Sequence, residues 1–380
     1  MKIALFDTGH FETAYTLIRL FDIPGNQVII FTNSRTESIL KEMLDDDQDR
    51  YEWYIIDRWI SDWNYFRYVK RQLAVLRPAL IFLNTIDRLP FYYALMLNFL
   101  PQARVIVTIH DINCFFERGH TNAISQALRW YSKKFLIREA EALNVLSDTM
   151  VPYLRKKTDN RISVLQIPGA VFENRISTVV NNRRISLVVP GSIDQRRRNY
   201  DDVFLLNELL EEAGLPIDIT LLGGHSTNYG RAVIAKAKQW NGRHTSIVCY
   251  DTEIVLQSEY ENVIQSAHFL FCPITVHTKM CGDIPEIYGI TKSSGSLADA
   301  VRHAKPIIVP DELKTSPRLD GSVFKYKNMV EITDLLFKIY QDGILYKEWE
   351  ENAISNSAWY TIEHVRERNG TVFFGEEEME

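Results

Sequence analysis

The 380-residue chain holds only four cysteines, Cys114, Cys249, Cys272 and Cys281. None forms a C-x-x-C pair or a metal-ligand spacing, which argues against a cysteine metal site and fits a reduced, cytosolic protein. No uninterrupted apolar run reaches the roughly 20 residues of a spanning helix. The nearest, Phe91 to Leu100, reads as a buried helix. The amino terminus lacks the long apolar core and small-residue cleavage site of a signal peptide and runs from Met1 straight into a strand pattern. Excess basic charge is also missing. The net charge is −6, against general nucleic-acid binding. The glycine fingerprint of dinucleotide sites is absent as well. Thr8-Gly9-His10 follows the first strand, and Thr32-Asn33-Ser34 stands where an acidic residue would meet a ribose. That argues against a nucleotide-cofactor dehydrogenase.

What is present is alternation. The composition, 46% apolar and 24% charged, is that of a soluble globular protein, and the length suits two domains. In the first half, strand-like runs fall at Lys2–Asp7, Gln27–Thr32, Trp53–Asp57, Leu80–Asn84, Arg104–His110, Leu143–Ser147 and Ile162–Ile167. Helical patterns fall between them, among them Thr13–Phe21, Ile60–Leu76, Phe91–Phe99 and Asn122–Glu141. The polar stretch Glu173–Arg184 breaks the rhythm and reads as a linker. The alternation then restarts, with strands at Ser186–Pro190, Ile217–Leu222, Thr245–Cys249, Phe269–Cys272 and Pro306–Val309. Helices near Tyr200–Ala213, Arg231–Trp240, Glu259–Ser266, Ser296–Ala304, Met329–Gln341 and Tyr346–Arg366 accompany them. Strands alternating with helices imply parallel sheets covered on both faces. Two doubly wound, Rossmann-like domains facing a cleft follow. Residues 1–172 form the first, 185–345 the second, and 346–380 a final helix with the acidic tail Glu376–Glu380. Residues 1–178 carry a net +2 and the remainder −8, so the acidity belongs to the second half.

In such sheets ligands bind beyond the carboxyl ends of the strands. Four loops there carry chemistry. His110-Asp111 ends one strand, where a histidine can accept or donate a proton or position a group. Pro190-Gly191-Ser192 leads to Arg196, Arg197 and Arg198, which could neutralise a diphosphate. Gly223-Gly224 would let a ligand approach the backbone, as Gly9 would after the first strand. Finally, Glu286-Ile-Tyr288-Gly289-Ile-Thr-Lys292-Ser-Ser294-Gly295-Ser296 opens a short helix, whose free N–H groups attract anions. The blander alternatives are a capped helix and a solvated charge run. A further segment, Trp59 to Arg77, mixes aromatics with basic residues. It reads first as a core-facing helix with a solvated basic side and second as a membrane-surface element.

Taken in order, these pieces resemble the retaining glycosyltransferases of the GT-B fold. Val105-Ile-Val-Thr-Ile-His110-Asp111, Asn144-Val-Leu-Ser147-Asp148, Ile167-Pro168-Gly169-Ala170-Val171 and the donor loop from Glu286 carry the likeness, with Trp359 where the family's chain crosses back to its first domain. The pattern departs in the donor loop. Its two acids, Glu286 and Asp299, are 13 positions apart rather than 8. The second is Asp rather than Glu, and the family's Gly-Arg is Gly191-Ser192 here. The resemblance implies a glycosyltransferase that moves a sugar from a nucleotide-sugar donor to a saccharide or lipid-linked acceptor hydroxyl, retaining and without metal or other cofactor. It implies His110 and Glu286 at the reacting sugar. Gly191, Arg196, Arg197, Arg198, Gly223, Gly224, Lys292, Ser294, Gly295, Ser296 and Asp299 would lie about the nucleotide, and Gly9, Tyr288 and Gly289 in the donor-sugar or phosphate loop. The implied location is cytoplasmic, with peripheral contact at the inner face of a membrane as a variant. A nucleotide-sugar epimerase and a degenerate, non-catalytic binding subunit are the alternatives.

Overall fold

A computed structural model describes residues 1–57, 59–86, 88–119, 124–158, 162–173 and 184–373. Residues 174–183 of the expected linker, Asn122 and Ala123 of an expected helix, and the tail Glu376–Glu380 lie outside them. Fifteen strands fall in the described residues: β1 Lys2–Phe6, β2 Gln27–Thr32, β3 Glu52–Ile55, β4 Leu80–Leu83, β5 Arg104–Thr108, β6 Ala142–Val145, β7 Ser163–Gln166, β8 Ile185–Pro190, β9 Ile217–Leu222, β10 Thr245–Cys249, β11 Phe269–Phe271, β12 His277–Cys281, β13 Ile284–Ile287, β14 Ile307–Pro310 and β15 Val323–Tyr326.

Seven strands form a parallel sheet in the order β3-β2-β1-β4-β5-β6-β7, and six form a second, β10-β9-β8-β11-β14-β15. Both orders reverse beside their first strand, at β1 and β8, which is the doubly wound pattern. Strand residues alternate between the two faces. On β1, Ala4 and Phe6 enter one core layer and Ile3 and Leu5 the other. On β8, Leu187 and Val189 face one layer and Val188 the opposite one. Helices start at side-chain caps where a short polar residue precedes them. Asn33 accepts from Thr36 N–H, Thr227 from Gly230 N–H and Asn328 from Glu331 N–H.

Three features depart from the expected elements. The segment leading into Tyr288 contains an antiparallel hairpin, β12 paired with β13, turning at Gly282 with φ +70°. A five-residue helix, Ile112–Phe116, follows His110-Asp111. The long final helix is broken. Gly343–Ser357 packs on the second domain, where Trp349 meets Phe269 and Phe324. Thr361 then caps a new helix, Ile362–Arg368. That helix crosses to the first domain. Arg366 donates to the carbonyls of Arg19, Leu20 and Asp22 at the end of helix Phe11–Phe21, while Val365, Val372 and Phe373 enter the core. Carbonyls at a helix C-terminus lack intrahelical partners and favour a cation.

The cysteines also depart from expectation. Cys114 on the short helix and Cys281 on β12 form a disulfide between the domains, leaving Cys249 and Cys272 free. Their separation of 167 residues hides the pairing from any spacing rule.

Candidate functional site

A cavity of about 300 Å³ lies between the domains. Its first-domain wall is built on Asp7, fully buried at the end of β1. One Asp7 oxygen accepts the N–H groups of Gly9 and His10, each at 2.9 Å, and the other accepts Asn84 Nδ2 at 2.6 Å and Thr85 Oγ1 at 2.7 Å. The loop after β1 is thereby pinned to the loop after β4. Because Thr85 gives its only hydroxyl proton to Asp7, its oxygen accepts from His10 Nδ1 at 3.1 Å. The His10 ring stacks on His110 at 3.8 Å between centroids. His110 Nε2 donates to the Asn84 carbonyl at 2.7 Å. When neutral, each imidazole is left an acceptor at its remaining nitrogen. Desolvation, then the nearby Lys292 charge, lowers His10 to about 4, and burial beside His10 lowers His110 as well.

The second-domain wall is electropositive. Arg198 is 8% exposed. Its Nη2 donates to Ser296 Oγ at 3.0 Å and its Nη1 to the Ser192 carbonyl at 3.2 Å, while Nε has no partner. Among the described residues no carboxylate pairs with it. Gly191 makes room for it: φ there is +88°, and a Cβ would stand 2.7 Å from Arg198 Nη2. Helix Gly295–Arg302 begins beside it without a side-chain cap. A Cβ on Gly295 would meet nothing within 4 Å. An unpaired buried guanidinium and an uncapped helix N-terminus thus share one wall. Asp299, on the same helix, accepts from Tyr260 OH at 2.8 Å, and burial pushes its carboxyl up to about 6. Glu12 joins it from the first domain, raised to about 7 mainly by desolvation.

Of the residues picked out from sequence, His110, Gly191, Arg197, Arg198, Tyr288, Lys292, Ser294, Gly295, Ser296 and Asp299 line this cavity. Lys292 is committed to Asp111 across the cleft at 2.5 Å. The others are placed elsewhere. Arg196 turns outward to Asp194, 2.8 Å away. Gly223 and Gly224 serve backbone packing, since a Cβ would come within 2.1 Å of Gly191 O and 2.0 Å of Glu253 O. Gly289, at φ +81°, packs on the Lys314 carbonyl, and the Gly9 N–H donates to Asp7. Glu286 is fully buried on β13, where Oε1 accepts Cys114 N–H at 2.7 Å. It holds the short helix rather than facing the cavity, and burial raises it to about 7. Tyr288 and Lys292 of the following turn line the cavity instead. His10, Glu12, Tyr260 and Arg302 line the cavity without having been singled out. Only His10 had a signal, its place in the loop after β1.

No family model matches the chain, and no curated protein matches it by sequence. Solved structures do match. Sucrose-phosphate synthase from Thermosynechococcus elongatus is 14% identical, with TM-score 0.64 and 98% of each chain covered. The pneumococcal O-GlcNAc transferase GtfA, solved with UDP and GlcNAc, is 10% identical at TM-score 0.64, again over 98% of both chains. The fold is GT-B. A UDP-GlcNAc 2-epimerase from Neisseria meningitidis, bound to UDP-GlcNAc, shares it at 10% identity and TM-score 0.58, over 98% of this chain and 99% of that one. The GT-B arrangement accounts for the cleft between two facing sheets and for the return of the last helix to the first domain.

The segment Trp59 to Arg77 splits between its two readings. Tyr65 and Phe66 enter the core, whereas Trp59 is 85% exposed and Trp63 52%. Phe91, Leu128, Tyr131 and Phe135 are exposed on neighbouring helices, and Phe99 just after one of them. Helices Asp62–Leu76, Pro90–Leu97 and Ile124–Glu139 carry Arg67, Lys70, Arg71, Arg129, Lys133, Lys134 and Arg138 against Asp62 and Glu139 alone. No helix among the described residues is long and apolar enough to cross a membrane.

Proposed function

We propose that the chain is a glycosyltransferase that moves a sugar from a nucleoside-diphosphate sugar to an acceptor hydroxyl. The observation that carries this reading is Arg198, a buried cation that no carboxylate pairs with among the described residues, beside a helix start without a side-chain cap. An unpaired buried charge is costly, and a diphosphate would supply the missing anion. In this reading Arg198, Arg197 and the N–H groups opening helix Gly295–Arg302 hold the diphosphate. They stabilise the charge that grows on it as the glycosidic bond breaks. No metal is needed for that step. Asp299 accepts a ribose hydroxyl, and the neutral His110 and His10 accept hydrogen bonds from the donor sugar. Glu286 has no part in the chemistry. Retention of anomeric configuration is part of the same proposal. UDP is the first nucleotide to try, because GtfA was solved with it.

Thermal-shift titration with nucleoside diphosphates tests donor binding, since a ligand stabilises by RT ln(1 + [L]/Kd). One diphosphate should raise Tm, and no response to any would sink the reading. Incubating the matching nucleotide sugar with and without saccharide acceptors then separates the alternatives. The transferase needs an acceptor. The epimerase, favoured by the shared fold of the 2-epimerase, gives product from the donor alone. Binding without either product identifies a non-catalytic subunit.

The aromatic and basic face of the first domain supports a lipid-linked acceptor met at a membrane. Such attraction is about 1 kcal/mol per basic residue near an anionic surface and fades with salt. Sedimentation with anionic but not neutral vesicles at low salt is the expected result. Equal recovery in the supernatant with both would leave a soluble acceptor.

A further inference from the structure

The cleft is also fastened at one edge by chemistry the sugar-transfer reading does not use. Helix Ile112–Phe116 of the first domain docks on the β12–β13 hairpin and the turn after it. Ile112 N–H donates to the Thr291 carbonyl at 2.8 Å and Asn113 Nδ2 to the Pro285 carbonyl at 2.9 Å. Cys114 N–H donates to Glu286, and Lys292 pairs with Asp111. At the centre of this contact Cys114 and Cys281 are bonded, their Cα atoms 5.8 Å apart, within the usual span of a disulfide. Cys114 is buried, whereas Cys281 is exposed on the hairpin.

We infer that Cys114 and Cys281 are a reversible oxidative modification site that locks the two domains in the closed arrangement. This goes beyond the transferase reading and does not depend on it. The polar contacts alone form a latch that can open. The S–S bond makes the latch covalent four residues from His110, so ligand entry and release through domain opening slow while it is intact. A small-molecule disulfide such as oxidised glutathione suffices to form it. The exposed Cys281 thiolate attacks one glutathione sulfur, forming a mixed disulfide and releasing the first glutathione thiolate. The Cys114 thiolate then attacks Cys281 Sγ and expels the second. The two protein thiols lose two protons and two electrons, and one glutathione disulfide becomes two glutathiones.

The test equilibrates the full chain in glutathione buffers of graded ratio and maps peptides without reduction. It then measures small-angle scattering of the oxidised and reduced forms, and the release rate of bound UDP. The expected results are a Cys114–Cys281 cross-linked peptide that disappears on reduction, a wider distribution of domain separations in the reduced form, and UDP release at least tenfold slower in the oxidised form. Cys281→Ser, a change at an exposed position, should behave as the reduced protein at every ratio, with Cys114→Ser as a second check. Absence of the cross-link at every ratio, or identical scattering in the two forms, overturns the inference. If UDP does not bind, that result counts against the donor reading alone, because cross-linking and scattering still decide this one.

Discussion

Replacing Arg198 with methionine separates binding energy from folding energy in a way few substitutions can. The guanidinium makes two hydrogen bonds, to Ser192 O and Ser296 Oγ, and leaves Nε unmatched. Methionine fills a similar volume, keeps Gly191 free of a clash and removes a buried charge that no carboxylate pairs with among the described residues. Burial of an ion costs several kcal/mol when its attraction to a counter-ion does not offset it. The ligand-free Arg198→Met protein should therefore be as stable as the parent or more so. Binding should move the opposite way. A hydrogen bond to a charged group contributes about 1.5–3 kcal/mol, so UDP affinity should fall by about 10- to 150-fold. Calorimetric titration with UDP and thermal unfolding without ligand, run on the same preparations, give both quantities. Arg196→Ala is the internal control and should leave UDP affinity unchanged, since that side chain faces Asp194 outside the cavity. Unaltered UDP affinity together with a large loss of ligand-free stability in Arg198→Met would refute the reasoning. The arginine would then be a structural strut.

Other outcomes follow from the same contacts. Gly191→Ala should cost about 1–3 kcal/mol for a side chain at positive φ and weaken UDP binding by displacing Arg198, both read in the titration and melting experiments just described. Arg366→Ala should lower stability by about 1–3 kcal/mol, by stranding three carbonyls of helix Phe11–Phe21, with UDP affinity unchanged. The histidines should make a separable contribution to the pH dependence. In the unfolded chain they take up protons near pH 6.5, whereas folded His10 and His110 are both lowered, so these two groups reduce stability as pH drops from 6.5 towards 4. Glu12, Glu286 and Asp299, raised to about 7, 7 and 6, act in the opposite direction, because the folded state takes up their protons first. A melting series should therefore show His110→Asn gaining stability relative to the parent as pH falls from 7 to 5.

The two parallel sheets were legible because their strands are short apolar runs separated by helical periodicity; Ile217–Leu222, Thr245–Cys249 and Met329–Gln341 match the structure residue for residue. The hairpin was not, although Gly282-Asp283 between Cys281 and Ile284 is a two-residue turn signal. Pro285 and the polar β12 masked it. The break after Ser357 was carried by Thr361, a cap that reads in sequence as an ordinary polar residue within a helix. The cavity wall was legible where loops follow strands, as at His110, Gly191 and Ser294–Ser296. Which of three adjacent arginines turns inward was not, because that depends on Asp194 holding Arg196 and on the space above Gly191. Where Glu286 points was not legible either. Its sequence neighbours Tyr288 and Lys292 reach the cavity, whereas Glu286 accepts from the Cys114 amide. Glu12 and Tyr260 come from a different strand–helix unit than Asp299, or from the other domain, so only the assembled cleft brings them together.

The most direct test of the central claim is the structure of the reduced protein with UDP. The account predicts the diphosphate between the Arg198 guanidinium and the first turn of helix Gly295–Arg302, with the ribose against Asp299. UDP seated only on the first domain, or on the second domain with its phosphates away from Arg198, would contradict it.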